Sequence, residues 1–182
     1  SLSFTGAVST GIQVAEHAAK TFKKTILELG GSDAMIVCRD ADLEAAAKGA
    51  VSGRFFNCGQ TCTAIKRVFV DTKIYAPFVQ RVRELAGALQ VGNGLTPGVD
   101  IGPVHTKRQR DTVHSLVQET VNNQLGTVLS GGEIPDSNPY TMGSFYPPTI
   151  LTDVDPDAPV MREEVFGPVL PISGFDSISD AI

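Results

Sequence analysis

Ala34-Met-Ile-Val-Cys-Arg-Asp-Ala-Asp-Leu-Glu-Ala-Ala-Ala-Lys48 joins a short apolar run to an alanine-rich stretch across a polar step. Bounded by Asp33 and Asp40, Ala34–Cys38 suits a buried strand. Asp40 or Asp42 is placed to cap the helix behind it, because a short carboxylate accepts from the unpaired N–H groups of a first turn. That helix pattern ends near Phe55 or Phe56. A strand running straight into a helix is the unit of an α/β protein, and the chain repeats it on both sides.

Upstream, Ile12, Ala15, Ala19 and Phe22 fall at helical spacing after the Gly-containing turn Thr5–Gly11, which predicts a helix to about Lys23. Leu29-Gly-Gly31 then stops regular structure. Downstream, Val68-Phe-Val70 reads as a strand, and Phe78, Val82, Leu85 and Leu89 form the inner stripe of a helix opened by Pro77. Gly92–Gly102 reads as a loop. Thr106 is a good cap for a helix with Val113, Leu116, Val117 and Val121 on one side, and Thr127-Val-Leu129 follows as a strand. Residues 133–148 are polar and Pro-punctuated, which predicts an exposed segment. Thr149-Ile-Leu151 and Leu170–Phe175 close the series as strands, around Arg162-Glu-Glu-Val-Phe-Gly-Pro-Val169.

Composition narrows the function. The 182 residues are 42% hydrophobic and 19% charged with net charge -5, the balance of a globular chain and not of a disordered or coiled-coil one. No apolar run reaches the roughly 18 residues that span a bilayer, and the start lacks the order of a secretory signal, so a cytoplasmic setting without membrane partners is expected. An acidic pI near 5.1 with scattered Lys and Arg argues against nucleic acid. Cys38, Cys58 and Cys62 are too few for a disulfide framework and lack zinc spacing. His17, His105 and His114 show no ligand pairing, so they read as surface or helix residues and no metal site is expected.

Four segments carry possible chemistry. Phe55-Phe-Asn-Cys-Gly-Gln-Thr-Cys-Thr-Ala64 ends a helix in a Gly-Gln turn and presents a thiol just past it. A nucleophilic thiolate needs such an accessible place near backbone N–H groups or positive charge, while most free cysteines are simply small buried hydrophobes. Cys62 is the favoured thiol over Cys58. In Ile26-Leu-Glu-Leu-Gly-Gly31 a carboxylate sits between two leucines; apolar surroundings would make Glu28 a general base, and a strand-edge Glu beside a turn is the plain alternative. Phe4-Thr-Gly-Ala-Val-Ser-Thr-Gly11 opens a helix with small residues where a phosphate could sit, though it matches neither glycine-rich nucleotide fingerprint. Glu163-Glu-Val-Phe-Gly-Pro168 offers a carboxylate to a ribose, or is a solvated acidic turn.

In this order and at these separations, the four segments resemble the aldehyde dehydrogenase superfamily over essentially the whole chain. The resemblance implies a three-layer α/β catalytic domain with a mostly parallel sheet flanked by helices. It makes Cys62, after Gly59-Gln-Thr, the nucleophile and Glu28, in Leu-Glu-Leu-Gly-Gly, the general base. It gives Gly6, Ala7, Gly11, Leu29, Glu164 and Phe166 to an NAD or NADP cofactor, Glu164 on the nicotinamide ribose. Residues 1–30 correspond to the tail of the dinucleotide-binding domain and residues 31–182 to a catalytic domain truncated at its C-terminal end, so further segments are expected before Ser1 and after Ile182. A homo-oligomer is expected of the full-length protein.

Implied chemistry runs from a Cys62 thiohemiacetal through a thioester to a carboxylic acid. Ala7 departs from the family's usual Ser and costs one hydroxyl near the diphosphate; Ser32-Asp33 replaces the commoner residues after Gly-Gly. Cys62-Thr-Ala-Ile-Lys-Arg-Val68 looks like the glyceraldehyde-3-phosphate and lactaldehyde branch, whereas Leu29-Gly-Gly-Ser-Asp33 also looks like succinate-semialdehyde dehydrogenases. A semialdehyde or small hydroxyaldehyde is therefore the expected substrate. A non-redox folding or interaction module and a cofactor-independent thiol esterase are the alternatives. Cys58 and Cys62, four apart around a turn, could also bridge on oxidation.

Overall fold

The computed structural model describes residues 1–182, which divide into two compact units, Ser1–Gly31 and Ser32–Ile182.

In the first unit, strands β1 (Leu2–Gly6) and β2 (Thr25–Leu29) pair in parallel, with helix α1 (Val8–Ala19) between them in sequence. Sequence spacing predicted a helix carrying Ile12, Ala15, Ala19 and Phe22 and reaching about Lys23. Instead α1 buries Gly11 and Ala18, leaves Ile12 exposed and stops at Ala19. Its end is fixed by the Ala18 carbonyl, which accepts from Thr21 and Lys23 N–H groups while Phe22 turns left-handed (φ 52°). Gly11 wins the inner position because a Cβ there would strike the Leu29 side chain.

The second unit is a five-stranded sheet in the order β3-β4-β7-β6-β5. Its strands are β3 (Asp33–Val37), β4 (Ile65–Asp71), β5 (Thr127–Ser130), β6 (Thr149–Thr152) and β7 (Val169–Phe175). All neighbours are parallel except β5 and β6. Period-two alternation splits these strands between two cores. Val68, Val70, Ile150, Leu170 and Ile172 face helices α2 (Leu43–Phe55) and α3 (Tyr75–Gly87). Leu151 and Val169 face α4 (Lys107–Asn122) and the short α5 (Pro159–Arg162). The result is three layers with a mostly parallel sheet in the middle. Burying a Val or Leu side chain contributes about 1.5–3 kcal/mol, and both faces are lined with them.

Caps agree with the sequence: Asp42 accepts from the Ala45 N–H, and Thr106 from the Gln109 N–H. Residues 133–148 differ from expectation at their far end. Phe145 and Tyr146 are buried, and Tyr146 packs beside Val113 and Val117 of α4 with its hydroxyl donating to the Gly132 carbonyl. Two aromatics inside a polar stretch supply enough apolar area to pull it down. The last turn, α6 (Ile178–Ala181), carries a capping box between Ser177 and Asp180. No helix is long and apolar enough to cross a membrane.

Candidate active site

Helix α2 delivers the thiol loop. After Phe55 the backbone takes three left-handed residues in succession, Asn57 (φ 50°), Cys58 (φ 57°) and Gly59 (φ 72°). Such conformations cost L-residues energy and persist only where surroundings enforce them. Here Asn57 and Gln60 bond each other's backbone, Asn57 Nδ2 to the Gln60 carbonyl at 3.0 Å and Gln60 N–H to the Asn57 carbonyl at 3.1 Å. The Gln60 Oε1 then accepts from the His105 N–H at 2.8 Å, tying down the loop ahead of α4. Glycine at 59 is obligatory twice over, since a Cβ would collide with the Gly167 carbonyl.

The path ends in the β-turn Thr61–Ala64, closed by the Ala64 N–H on the Thr61 carbonyl, with Cys62 exposed at its corner. Cys58 is the opposite case. It is buried in the α2–α3 core, and burial pushes its thiol up to about 12 from an ordinary 9.0, with Arg54 pulling weakly the other way. All three thiols are free, and Cys38 is exposed at the end of β3.

Two buried cations that sequence reasoning missed organise the loop. Arg54, fully buried on α2, donates to the Val165 carbonyl at 2.7 Å, to the Gly167 carbonyl, and to the Ile65 carbonyl at 3.4 Å. Burial lowers it to about 10, with Cys58 and Glu164 acting in the opposite sense, so it stays charged at neutral pH. Lys66, fully buried on β4, donates to the Cys62 carbonyl at 2.6 Å and the Thr61 carbonyl at 3.2 Å. Strand parity could have found it, since Lys66 shares a face with Val68 and Val70.

The acidic motif follows α5. Glu163 is exposed, Glu164 half-buried, and Lys66 Nζ lies 3.7 Å from Glu164 Oε1. That oxygen is buried and has no hydrogen-bond partner. Phe166 is half-buried with its carbonyl accepting from Gln109 Nε2 at 2.9 Å. The second unit thus brings Cys62, Lys66, Glu164 and Arg54 together. A cleft of about 500 Å³ opens beside Glu163 and Glu164, walled by Glu119 and Thr112 of α4 and by Pro159 and Arg162.

In the first unit, Glu28 sits on β2 opposite Thr5 of β1 and is exposed, not held among leucines. Strand alternation explains this: Leu27 and Leu29 turn to the other face. Leu29 packs on Gly11 of α1. Ala7 precedes α1 with no side-chain cap, so the helix N-terminus keeps its donors open, and Gly6 is exposed beside it.

A sequence model of the Aldehyde dehydrogenase family matches residues 1–182. The chain is 43% identical over 178 residues to succinate-semialdehyde dehydrogenase [NADP(+)] of Mycobacterium avium, covering 98% of this chain and 37% of that protein. Among solved structures, lactaldehyde dehydrogenase from Escherichia coli superposes with a TM-score of 0.93 at 39% identity, covering 99% of this chain and 37% of that one. Betaine aldehyde dehydrogenase from Staphylococcus aureus, in complex with NAD+, gives a TM-score of 0.93 at 34% identity, over 99% of this chain and 36% of that one. The chain therefore spans little more than a third of the length of the relatives it matches.

Proposed function

The chain belongs to the aldehyde dehydrogenase family, and from that premise we propose that the protein oxidises an aldehyde to a carboxylic acid with NAD or NADP, using Cys62 as nucleophile and Glu28 as general base. The observation that carries this reading is the contrast between two thiols four residues apart: Cys62 is exposed on a loop locked by its backbone, and Cys58 is buried.

Features of the chain fit the cofactor. Glu164 Oε1 is a buried acceptor without a hydrogen-bond partner, 3.7 Å from Lys66 Nζ, suited to a ribose hydroxyl. The uncapped start of α1, beside Gly6 and Ala7, offers N–H groups to a diphosphate. Gly11 and Leu29 support that turn, and Phe166 belongs to the Glu164 segment. Residues 1–30 then serve as the tail of a dinucleotide-binding domain and residues 31–182 as catalytic domain. When bound, the cofactor supplies a hydride acceptor.

Cys62 thiolate adds to the carbonyl carbon, forming a C–S bond, and the Cys62 backbone N–H donates to the resulting oxyanion. Loss of hydride from that carbon leaves a thioester on Cys62. Glu28 takes a proton from water, whose oxygen displaces the thiol and releases the acid. A semialdehyde or small hydroxyaldehyde is the proposed substrate, in keeping with the names of the relatives. Assembly as a homo-oligomer and work in the cytoplasm belong to the same reading.

The test supplies succinic semialdehyde or lactaldehyde with NAD+ or NADP+ and follows reduced nicotinamide and carboxylate together. Equal amounts of both, abolished by Cys62→Ser, are expected. Ester hydrolysis with no nicotinamide reduction for any aldehyde would replace this reading with a thiol esterase.

A further inference from the structure

Lys66 opens β4 and is fully buried although it carries a charge. An ammonium has three donors, and leaving them unpaired inside a protein is costly. Two go to the thiol loop, at 2.6 Å to the carbonyl of Cys62 itself and at 3.2 Å to that of Thr61. Beyond them lies Glu164, 3.7 Å away, its Oε1 buried and otherwise unbonded. One cation therefore touches the peptide of the candidate nucleophile and a carboxylate from a segment about a hundred residues later in the chain.

We propose that Lys66 is a positioning residue for Cys62, fixing the turn that presents the thiol and stabilising its thiolate, and that Glu164 tempers this effect through the ion pair. The inference rests on Cys62 being the nucleophile. Its physical basis is the preference of a thiolate for nearby fixed positive charge, and the opposing effect of a carboxylate that shares that charge. The charged and titratable groups around the loop are Arg54 from α2, Cys58 from the left-handed turn, Lys66 from β4, Glu164 from the segment before β7 and His105 from the loop ahead of α4, whose N–H bonds Gln60. Arg54 bonds Val165, Gly167 and Ile65 through Nη1 and Nη2 and leaves its Nε buried without a partner, so Lys66 is the cation bonded to the Cys62 residue. A ligand hydroxyl bonded to Glu164 draws the carboxylate away from Lys66 and leaves more positive potential at Cys62. Occupancy of the acidic motif thereby primes the thiol.

The experiment is alkylation by iodoacetamide across pH, with peptide mass spectrometry reading each cysteine. It compares the unaltered chain with Lys66→Met, Lys66→Arg, Glu164→Gln and the Lys66→Met/Glu164→Gln pair. Lys66→Met is expected to slow Cys62 alkylation at neutral pH about tenfold. Lys66→Arg, which keeps the charge, restores most of the rate, and Glu164→Gln speeds alkylation only while Lys66 is present. Continued protection of Cys58 reports an intact fold in each variant. Superimposable profiles for Lys66→Met and the unaltered chain, or equal slowing by Met and Arg, would overturn the proposal. If Lys66→Met exposes Cys58, the Glu164→Gln arm decides, and no acceleration there also overturns it. Alkylation asks nothing of aldehyde or cofactor, so a chain that passes here and fails to reduce nicotinamide would contradict the proposed function alone.

Discussion

Arg54 Nη2 donates to the Val165 carbonyl at 2.7 Å, so the helix that leads into the thiol loop is bonded to the segment that carries Glu164 and Phe166. The same guanidinium reaches the Gly167 carbonyl and, at 3.4 Å, that of Ile65 at the start of β4. A single buried cation thus joins α2 and the nearby start of β4 to a segment more than a hundred residues beyond it. Neither side of the site is free to shift without breaking a charge-assisted bond.

Replacing Arg54 by Met removes those donors and leaves the Val165 carbonyl buried and unpaired, at about 1–3 kcal/mol for the lost partner, while the Gly167 carbonyl keeps the Val169 N–H. Part of this is offset because a guanidinium no longer has to be stripped of water. We expect a net loss of about 2 kcal/mol, measured as a fall in the urea midpoint, together with faster alkylation of Cys58.

Gly59→Ala combines a left-handed backbone (φ 72°) with a Cβ driven into the Gly167 carbonyl. The first alone costs roughly 1–2 kcal/mol, and rigid backbone cannot yield to the second. Loss of at least about 2 kcal/mol is expected. Cys62 should also become slower than Cys38 towards alkylating reagents, because its turn is no longer held.

Cys58, with burial holding its thiol up at about 12, should resist iodoacetamide at neutral pH until the chain unfolds. The sign for stability follows from the direction of the shift. A thiol whose native value lies above the unfolded 9.0 stabilises the fold below that pH, and the contribution is lost as pH rises from about 9 to about 12. Cys58→Ala should flatten that part of the alkaline unfolding profile.

Much of this architecture was legible because it depends on short-range patterns. The apolar runs of β6 and β7, the Asp42 and Thr106 caps and the strand character of β3 are each written within a few residues, although β3 lies at the sheet edge and is mostly exposed where a buried strand was expected. Which of the two nearby thiols is exposed was also legible, from a Gly-Gln turn at a helix end. Arg54 and Lys66 were not, because their partners are backbone carbonyls, which carry no sequence signature, and their burial is set by strands that meet only in the sheet. Phe145 and Tyr146 escaped for a related reason: neighbouring Pro, Ser and Gly outvoted two aromatics, of which Tyr146 packs beside residues of α4 and Phe145 against Tyr140. The apolar surroundings expected of Glu28 are absent because flanking leucines in a strand point away from the residue between them.

Arg81 of α3 grips Glu44 of α2 through Nε at 2.6 Å and Nη2 at 2.9 Å, with Lys48 adding a contact at 3.0 Å. These bonds, Arg81 first and then Lys48, hold the Glu44 carboxyl at about 2, below its ordinary 4.5. A depressed carboxylate stabilises the fold above pH 4.5, and that contribution disappears as pH falls from about 4.5 towards 2. Glu44→Gln should lower stability at neutral pH and make the acid limb of the unfolding profile shallower. High salt should shrink the difference, as the pair is exposed.

The roles of Cys62 and Glu28 are tested most directly by an activated aryl ester, which acylates a reactive thiol without any cofactor, followed by acid quenching and peptide mapping. The account predicts an acyl group on Cys62 that turns over in the unaltered chain, persists in Glu28→Gln and is absent from Cys62→Ser. Acylation of Cys38 or Cys58 in place of Cys62, or equal deacylation rates with and without Glu28, would contradict it.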